Sequence, residues 1–313
     1  MAGTVGDLGE FGLIAEITAG LPTAPNVLVG PGDDCAVFAP DGPVAVSTDT
    51  MVAGRHWREN WSGPHDVGRK AVASAAADLE AEGARGIGVV ISLALPAETP
   101  AEWARQFSAG VRAECAEAGL VLLGGDLTQA PQIVVTATVF GDLEGRAPVT
   151  RAGARPGDVV AFRGRLGWAE AGLAVLNRGF RSPAAVVNAH RVPEPPYGQG
   201  IVAALAGATA MVDVSDGLLA DLGHIARSSG VVIDLDPAAF DIAEPQTAVA
   251  AALGGKDPLA FVLTGGDDHA LAACFAPSDV PEGWVVVGAV RDGEPGVLVD
   301  GETWEGSAGW AHF

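Results

Sequence analysis

The sequence is short of positive charge. It has 18 lysine and arginine residues against 39 aspartate and glutamate residues, which gives a formal net charge of −21. The only lysines are Lys70 and Lys256. Nucleic acids and anionic membrane surfaces are bound through basic protein surfaces, so we expect neither of them as a partner.

Cysteine and long hydrophobic runs are also scarce. The three cysteines, Cys35, Cys115 and Cys274, are widely spaced and form no Cys-x-x-Cys pair, which is typical of a reduced, cytoplasmic protein. Cys35 is expected to be a small buried residue. Apolar runs such as 89–95 are far shorter than a membrane span, and the first residues lack the apolar core of a signal peptide. We therefore predict a cytoplasmic location.

The pattern of elements is mixed α and β, and 313 residues are enough for about two domains. Glycine, proline and arginine cluster near 142–157, and this composition indicates a boundary. The predicted domains are 1–145 and 146–313. One of the predicted elements is a short strand over 261–263 that leads into an acidic turn.

Short segments that combine glycine or a hydroxyl residue with aspartate follow predicted strands at five places. They are 32–34, 47–49, 124–126, 213–217 and 265–268. Asp78 adds a carboxylate on a helix predicted over 66–82, whereas Glu80 is expected to be solvated. Each segment alone is an ordinary turn. With so little lysine in the chain, a set of these carboxylates that converges would need cations.

The kind of cation follows from the ligands. Mg²⁺ prefers hard oxygen ligands and is usually held by one or two carboxylates together with substrate phosphates. Glycine lets the backbone come close to phosphate oxygens and donate N–H groups to them. The sequence contains no P-loop, no protein-kinase signature, no EF-hand loop and no G-x-S-x-G elbow. These features together indicate a protein that binds several magnesium ions and a phosphate-bearing substrate without any of these common motifs.

Several strings in the sequence are similar to those of one family, the thiamine-monophosphate kinases. They are GDDCAVF (32–38), STDTMVAGRHW (47–57), GGDLT (124–128), TRAGARPGD (150–158), DVSDGLLADLGHI (213–225), LTGGDDHAL (263–271) and the terminal GWAHF. They span almost the whole chain in the order expected for the family. Aminoimidazole ribonucleotide synthetase and selenophosphate synthetase belong to the same superfamily.

The resemblance implies an α/β fold of two domains, like that of aminoimidazole ribonucleotide synthetase. Domain 1–145 would bind ATP and magnesium and pair with a second copy in a dimeric β-barrel, and domain 146–313 would be an α/β layer. The implied reaction is the ATP-dependent phosphorylation of thiamine monophosphate to thiamine diphosphate, by direct in-line transfer assisted by several Mg²⁺ ions. The acceptor is a phosphate monoester with a second pKa of about 6, so no catalytic general base is expected.

The resemblance also implies the residues of the site. Magnesium ligands are implied at Asp34, Ser47, Thr48, Asp49, Asp78, Asp126, Asp213 and Asp216. ATP contacts are implied at Gly125, Asp126, Arg151 and Ser215, and substrate contacts at His56, Asp267 and Trp310. The sequence departs from the family at Asp267, where the family has the longer glutamate, and at His269, where it has an aromatic residue.

Two other functions stay open at this point. One is a different ATP-dependent reaction of the same superfamily. A selenide-specific enzyme would favour a reactive cysteine or selenocysteine with a lysine near the N-terminus, and the first 30 residues contain neither. The other is a non-catalytic acidic protein that binds divalent cations, which would explain the carboxylates but not Arg151 or the GRHW string.

Overall fold

The computed structural model describes residues 3–255 and 257–310. The chain divides into two compact units. Unit 1 consists of Met1–Leu79 and Arg85–Arg146, and unit 2 of Glu80–Ala84 and Ala147–Phe313. Within the described ranges, no helix combines the length and the apolar character that crossing a membrane requires.

Unit 1 is built on a four-stranded sheet. Its elements are α1 (Val5–Thr18), β1 (Val27–Val29), β2 (Val37–Phe38), β3 (Val44–Val52), α2 (Pro64–Ala81), β4 (Arg85–Leu95), α3 (Ala101–Ala118), β5 (Val121–Gln129) and β6 (Val134–Asp142). The strand order is β3-β6-β4-β5, in which β4 and β5 are parallel and the other neighbours antiparallel. The short strands β1 and β2 form a separate antiparallel pair.

The sheet of unit 1 has one covered face and one open face. Along β6, Val135 and Val139 are fully buried, while Thr136 and Thr138 are only half-buried. Side chains alternate between the two faces of a strand, so this pattern separates a core face from a partly exposed one. Thr48 of β3 lies on the open face, where its hydroxyl oxygen is 3.0 Å from that of Thr138.

Unit 2 is built on a seven-stranded mixed sheet. Its elements are β7 (Val159–Arg163), α4 (Trp168–Asn177), α5 (Ala184–Arg191), α6 (Gln199–Leu205), β8 (Ala210–Val214), α7 (Leu218–Ser229), β9 (Val232–Leu235), a short 3₁₀ turn (Pro237–Ala239), α8 (Glu244–Ala252), α9 (Leu259–Thr264), β10 (Ala270–Phe275), β11 (Val285–Arg291), β12 (Gly296–Val299) and β13 (Glu302–Thr303). The strand order is β13-β12-β9-β11-β7-β10-β8.

The core of unit 2 lies on both faces of this sheet. Every residue of β10 is buried, and its side chains divide between two apolar clusters. Leu218, Leu222 and Ile225 of α7 pack in the larger cluster. In the smaller one, the rings of Phe275 and Trp284 meet edge to face, 5.3 Å apart. A strand that is buried on both faces holds its ends in place. The acidic segment 213–217 lies at the end of the buried strand β8, and 265–268 comes just before β10.

The prediction of a strand over 261–263 was wrong. These residues belong to helix α9, which begins after Pro258. Three consecutive apolar residues carry no period, so they cannot distinguish a buried strand from a short buried helix. The free Cys35 is exposed, not buried as expected.

Two of the acidic segments lie inside strands instead of following them. Residues 47–49 are in the middle of β3, and 124–126 are in the middle of β5. A Cβ atom on Gly125 would come within 2.0 Å of the carbonyl oxygen of Ile91 in the neighbouring strand. Glycine is therefore needed at this position because two strands approach each other closely. In the sequence alone, the same glycine looks like part of a turn.

Glu80 is buried, contrary to the expectation that it is solvated. Its two carboxylate oxygens accept hydrogen bonds from the backbone N–H groups of Gly198 and Gly200, each at 2.8 Å. These N–H groups stand at the start of α6, where the N-cap residue is Gly198 and has no side chain. Burial raises the pKa of Glu80, and the two N–H groups act against that rise. The carboxylate thus caps a helix that has no cap of its own.

We predict that Glu80→Ala lowers the free energy of unfolding by about 2–4 kcal/mol, because each buried N–H group left without an acceptor costs about 1–3 kcal/mol. Denaturant unfolding of the two variants measures the loss. The control is Glu117→Ala, which removes an exposed glutamate of α3 and is expected to change stability by less than about 0.5 kcal/mol. Equal losses in the two variants would contradict the capping role.

Candidate functional site

Three segments of unit 2 that are far apart in sequence meet just after strand β8. The backbone N–H of Asp267 donates to the carbonyl of Ser215 at 2.8 Å, and that of Trp310 donates to the carbonyl of Asp216 at 2.8 Å. A Cβ on Gly266 would lie 2.2 Å from the Ser215 carbonyl oxygen, so only glycine allows this approach. Five predicted site residues are thereby brought together. They are Asp213, Ser215, Asp216, Asp267 and Trp310.

Two histidines accompany these carboxylates. The buried Asp213 has its Oδ2 atom 3.0 Å from Nδ1 of His269, which is also buried. The carboxylate of Asp267, whose side chain is 34% exposed, lies 3.8 Å from Nδ1 of His190 and 4.0 Å from Nε2 of His269. His190 lies on α5 and carries no sequence signal that would have indicated this role. His269 could have been found, because it replaces the aromatic residue of the family pattern.

The neighbouring Asp268 has a different place. It is buried, and its Oδ1 atom accepts a hydrogen bond from the backbone N–H of Ala169 at 2.9 Å. This N–H belongs to the first turn of α4, whose N-cap residue is Gly167. Burial raises the pKa of Asp268 to about 7. Of the two aspartates in the GGDD string, Asp268 therefore supports the fold and Asp267 faces the site.

Arg151 lies at an exposed position in a loop that α7 holds in place. Ser229, the last residue of α7, donates its hydroxyl hydrogen to the carbonyl of Arg151 at 3.2 Å and accepts from the N–H of Gly153 at 3.1 Å. Burial lowers the pKa of His224 on the same helix, and the positive charges of Arg151 and Arg227 lower it further. The backbone that carries Arg151 is thus held beside α7, a helix that follows the acidic segment 213–217.

Unit 1 contains a cavity of about 700 Å³. Its walls are largely apolar and come from α1, α3 and the sheet, with Leu13, Phe107 and Val111 among them. Asp34, Gly125 and Asp126 also line it. An apolar pocket edged by carboxylates and by glycine backbone can take a flat organic ring next to a charged group. Three of the predicted metal and ATP residues therefore share one cavity.

The remaining predicted ligands of unit 1 lie elsewhere on the sheet. Ser47 donates a hydrogen bond to Oδ2 of Asp78, so these two side chains meet on the covered face. Asp49 lies two residues further along β3 and shares this face. Thr48 points to the open face, and so does Asp126, because it is in register with Ser92 and not with the buried Ile91. Ser47, Thr48 and Asp49 therefore cannot all direct their side chains at one ion.

The ring of His56 is oriented by the backbone. Its Nδ1 atom accepts a hydrogen bond from the N–H of Val52 at 2.9 Å. An accepting Nδ1 places the ring proton on Nε2, which makes that nitrogen a donor. Residue 56 is half-buried. This histidine can thus offer one N–H group in a fixed direction.

The donor set suits magnesium, although no complete cage is formed by the protein. Among residues 3–255 and 257–310, no group of three or more histidine, cysteine, aspartate or glutamate side chains is close enough to hold a metal ion. The residues brought together at the candidate sites offer carboxylate and hydroxyl oxygens, the hard ligands that Mg²⁺ prefers. An ion held by one or two carboxylates and completed by substrate phosphates and water needs no such cage.

Comparison with known proteins first defines a class. Residues 32–143 match the family model described as AIR synthase related protein, N-terminal domain. A structure of hydrogenase maturation protein HypE in complex with ATP shares the fold at a TM-score of 0.72 and 18% identity, covering 92% of this chain and 88% of that one. Residues 32–143 are thus similar to the N-terminal domain of AIR-synthase-related proteins, and the fold of the chain is shared with HypE.

The closer relatives define the family. The thiamine-monophosphate kinase of Mycobacterium tuberculosis is 50% identical over 311 residues, which cover 99% of this chain and 93% of the relative. That of Corynebacterium glutamicum is 38% identical, with coverage of 99% and 95%. A solved structure, AaThiL complexed with AMPPCP and TMP, matches at a TM-score of 0.80 and 30% identity over 98% of both chains. The chain belongs to the thiamine-monophosphate kinase family.

The buried Asp268 predicts a pH dependence of stability. Its pKa in the folded protein, about 7, is above the ordinary 3.8, so the folded state binds more protons than the unfolded state between these values. Stability therefore falls as the pH rises from about 4 to about 7, by at most about 1.4 kcal/mol per pH unit for one group. We predict that Asp268→Asn, which keeps the acceptor for Ala169, makes the pH profile of denaturant unfolding flatter.

The control for this measurement is Asp279→Asn, which changes an exposed aspartate of the same unit. It is expected to keep the pH slope of the unsubstituted protein. If Asp268→Asn also kept that slope, the proton would not reside on Asp268.

Proposed function

We propose that this protein transfers the γ-phosphoryl group of ATP to thiamine monophosphate and so makes thiamine diphosphate. The observation that carries the proposal is the convergence after β8, where the carbonyls of Ser215 and Asp216 accept hydrogen bonds from the N–H groups of Asp267 and Trp310. Asp213 lies at the end of the same strand and contacts His269. These are residues of the strings shared with the family. Family membership and the similarity to AaThiL complexed with AMPPCP and TMP support the same substrates.

The cavity of unit 1 is our candidate for the ATP base. Phe107 and Val111 of α3 offer an apolar wall of the kind that adenine rings pack against. Asp34, Gly125 and Asp126 line the same cavity. The phosphates of ATP would extend from the base towards these three residues. For Arg151 we propose, on the family resemblance alone, a bidentate contact to a phosphate of ATP, which a planar guanidinium group favours.

The proposed magnesium ligands are the eight implied by the family resemblance. They are Asp34, Ser47, Thr48, Asp49, Asp78, Asp126, Asp213 and Asp216. Thr48 directs its side chain to the open face of the sheet, so it would act through its backbone carbonyl. Bound magnesium supplies neutralisation of the charge that develops on the transferred phosphoryl group. Phosphoryl transfer needs little covalent chemistry from a protein, so positioning is the main task of the side chains.

The family resemblance implies thiamine contacts at Asp267 and Trp310 in unit 2 and at His56 in unit 1. Thiamine carries a positively charged thiazolium ring, which suits the carboxylate of Asp267. Trp310 has 58% of its surface exposed and can stack on an aromatic ring. His56 would donate from Nε2. The acceptor phosphate is already largely ionised at neutral pH, so we propose direct in-line attack without a general base.

We also propose a homodimer formed through the open face of the unit 1 sheet. This face carries a row of threonines and the exposed Val46, which is 58% exposed. A second copy of the same face would bury it and close the two sheets into a barrel. The three free cysteines fit a reducing, cytoplasmic compartment.

We predict that thiamine diphosphate forms from ATP and thiamine monophosphate only when magnesium is present. Asp126→Ala removes a carboxylate that lines the ATP cavity and is expected to lower kcat by about 100-fold or more, the size typical of lost transition-state charge stabilisation. Chromatographic measurement of thiamine diphosphate follows the reaction.

The control is Asp41→Ala, which removes an exposed aspartate of the same unit outside the proposed site. It is expected to stay within about twofold of the unsubstituted enzyme, as surface changes away from the chemistry usually do. Magnesium-independent activity, or full activity in a folded Asp126→Ala, would reject the assignment.

The dimer makes a separate prediction. Val46→Arg places a charge in the proposed interface and is expected to weaken association by about 2–4 kcal/mol, or about 30- to 1,000-fold. Sedimentation velocity over a range of protein concentrations measures the dissociation. Val285→Arg changes an exposed valine of unit 2, which is 43% exposed, and is expected to leave the dimer intact. A monomeric unsubstituted protein, or an unchanged dimer in Val46→Arg, would refute this interface.

A further inference from the structure

One carboxylate oxygen of unit 2 accepts three consecutive backbone hydrogen bonds. The N–H groups of Ser215, Asp216 and Gly217 point at Oδ2 of Asp221, at 3.0, 3.0 and 3.1 Å. Asp221 is buried, with 2% of its surface exposed, and lies in the first turn of α7. The N-cap of this helix is Gly217, which has no side chain to accept these bonds.

Such a group of converging N–H donors at a helix start is the usual place for a bound phosphate. Here the protein's own carboxylate already fills it. The backbone of 215–217 therefore has no N–H groups left for the substrate. What this segment presents is the side chains of Ser215 and Asp216, with Asp213 beside them.

The carbonyl groups of the segment 215–217 also have hydrogen-bond partners within the protein. The carbonyls of Ser215 and Asp216 accept the N–H groups of Asp267 and Trp310, as described above. The position of these two substrate-facing residues thus depends on the same peptide groups that Asp221 holds. A single buried side chain supports both the metal-facing and the thiamine-facing parts of the proposed site.

We propose that Asp221 is a positioning residue that fixes the turn 215–217 for binding magnesium-bound ATP and prevents phosphate from binding directly to its N–H groups. The proposal rests on the proposed function for the identity of the ligand. The blocking of the N–H groups of 215–217 by Asp221 does not depend on the identity of the ligand, because inorganic phosphate alone can test it.

The experiment compares Asp221→Ala and Asp221→Asn with Asp234→Ala and Asp234→Asn. Asp234 is also a buried carboxylate of unit 2, and it accepts the N–H of Gly301 at 2.9 Å and pairs with Arg291 at 2.7 Å, so its loss should affect stability alone. Calorimetry measures binding of a non-hydrolysable ATP analogue with and without magnesium. Thermal unfolding measures stabilisation by inorganic phosphate without nucleotide.

Asp221→Ala is expected to weaken magnesium-dependent binding of the analogue about 10- to 100-fold, the usual effect of removing a residue that orients metal ligands. It is also expected to be stabilised by phosphate more than the unsubstituted protein is. The Asp234 variants should lose stability and keep the affinity of the unsubstituted protein. If Asp221→Ala does not fold, Asp221→Asn decides, with an expected loss of about tenfold because one accepting oxygen remains.

Affinity equal to that of the unsubstituted protein in a folded Asp221 variant would overturn the positioning role while leaving the proposed function intact. Failure of the unsubstituted protein to bind the analogue or to make thiamine diphosphate would instead reject the proposed function. In that case the phosphate measurement still decides whether Asp221 blocks the N–H groups, and no gain in Asp221→Ala would overturn the inference.

Discussion

The turn after strand β8 has all of its backbone polar groups committed, and the candidate site depends on this constraint. The N–H groups of 215–217 go to Asp221. The carbonyls of the same stretch accept from Asp267 and Trp310. Buried backbone groups must find partners, and here the partners come from segments about 50 and 95 residues further along the chain. The hydrogen bonds of this one turn thereby hold Asp267 and Trp310 next to Ser215 and Asp216 within unit 2.

Much of this could be predicted from the sequence, for identifiable reasons. The strings similar to those of the family identified it correctly, because they span almost the whole chain in the order expected for the family. The helix predicted over 66–82 is α2, Pro64–Ala81. The strand predicted over 261–263 was wrong because so short a run has no period. The alternation of side chains in β3 could have shown that Thr48 faces away from Ser47 and Asp49, since that rule needs no coordinates.

The partners of buried carboxylates could not be predicted. Glu80 looks like a solvated helix residue, and nothing in its neighbourhood shows that α6 begins with an uncapped Gly198. Asp267 and Asp268 are neighbouring residues of the same type, yet Asp268 caps α4 whereas Asp267 faces two histidines. Asp221 did have a signal, because it stands four residues after a glycine that opens a helix. Long-range contacts decide these roles, and local patterns do not contain them.

The positions of the acidic residues in the structure help to explain why the chain has so many more acidic than basic residues. The structural carboxylate of Asp221 accepts three N–H groups and that of Asp268 accepts one. Arg69 and Arg291 pair with Glu114 and Asp234. The proposed ligands include exposed positions such as Asp34 and Asp126. No cage of three or more such side chains exists among the described residues. We therefore propose that the nucleotide completes the metal sites.

Counting bound Mn²⁺ by electron paramagnetic resonance, as a substitute for Mg²⁺, tests this claim most directly. We expect weak binding to the protein alone and tight binding of more than one ion once a non-hydrolysable ATP analogue and thiamine monophosphate are added. The same number of ions bound with the same affinity in the absence of both substrates would contradict it.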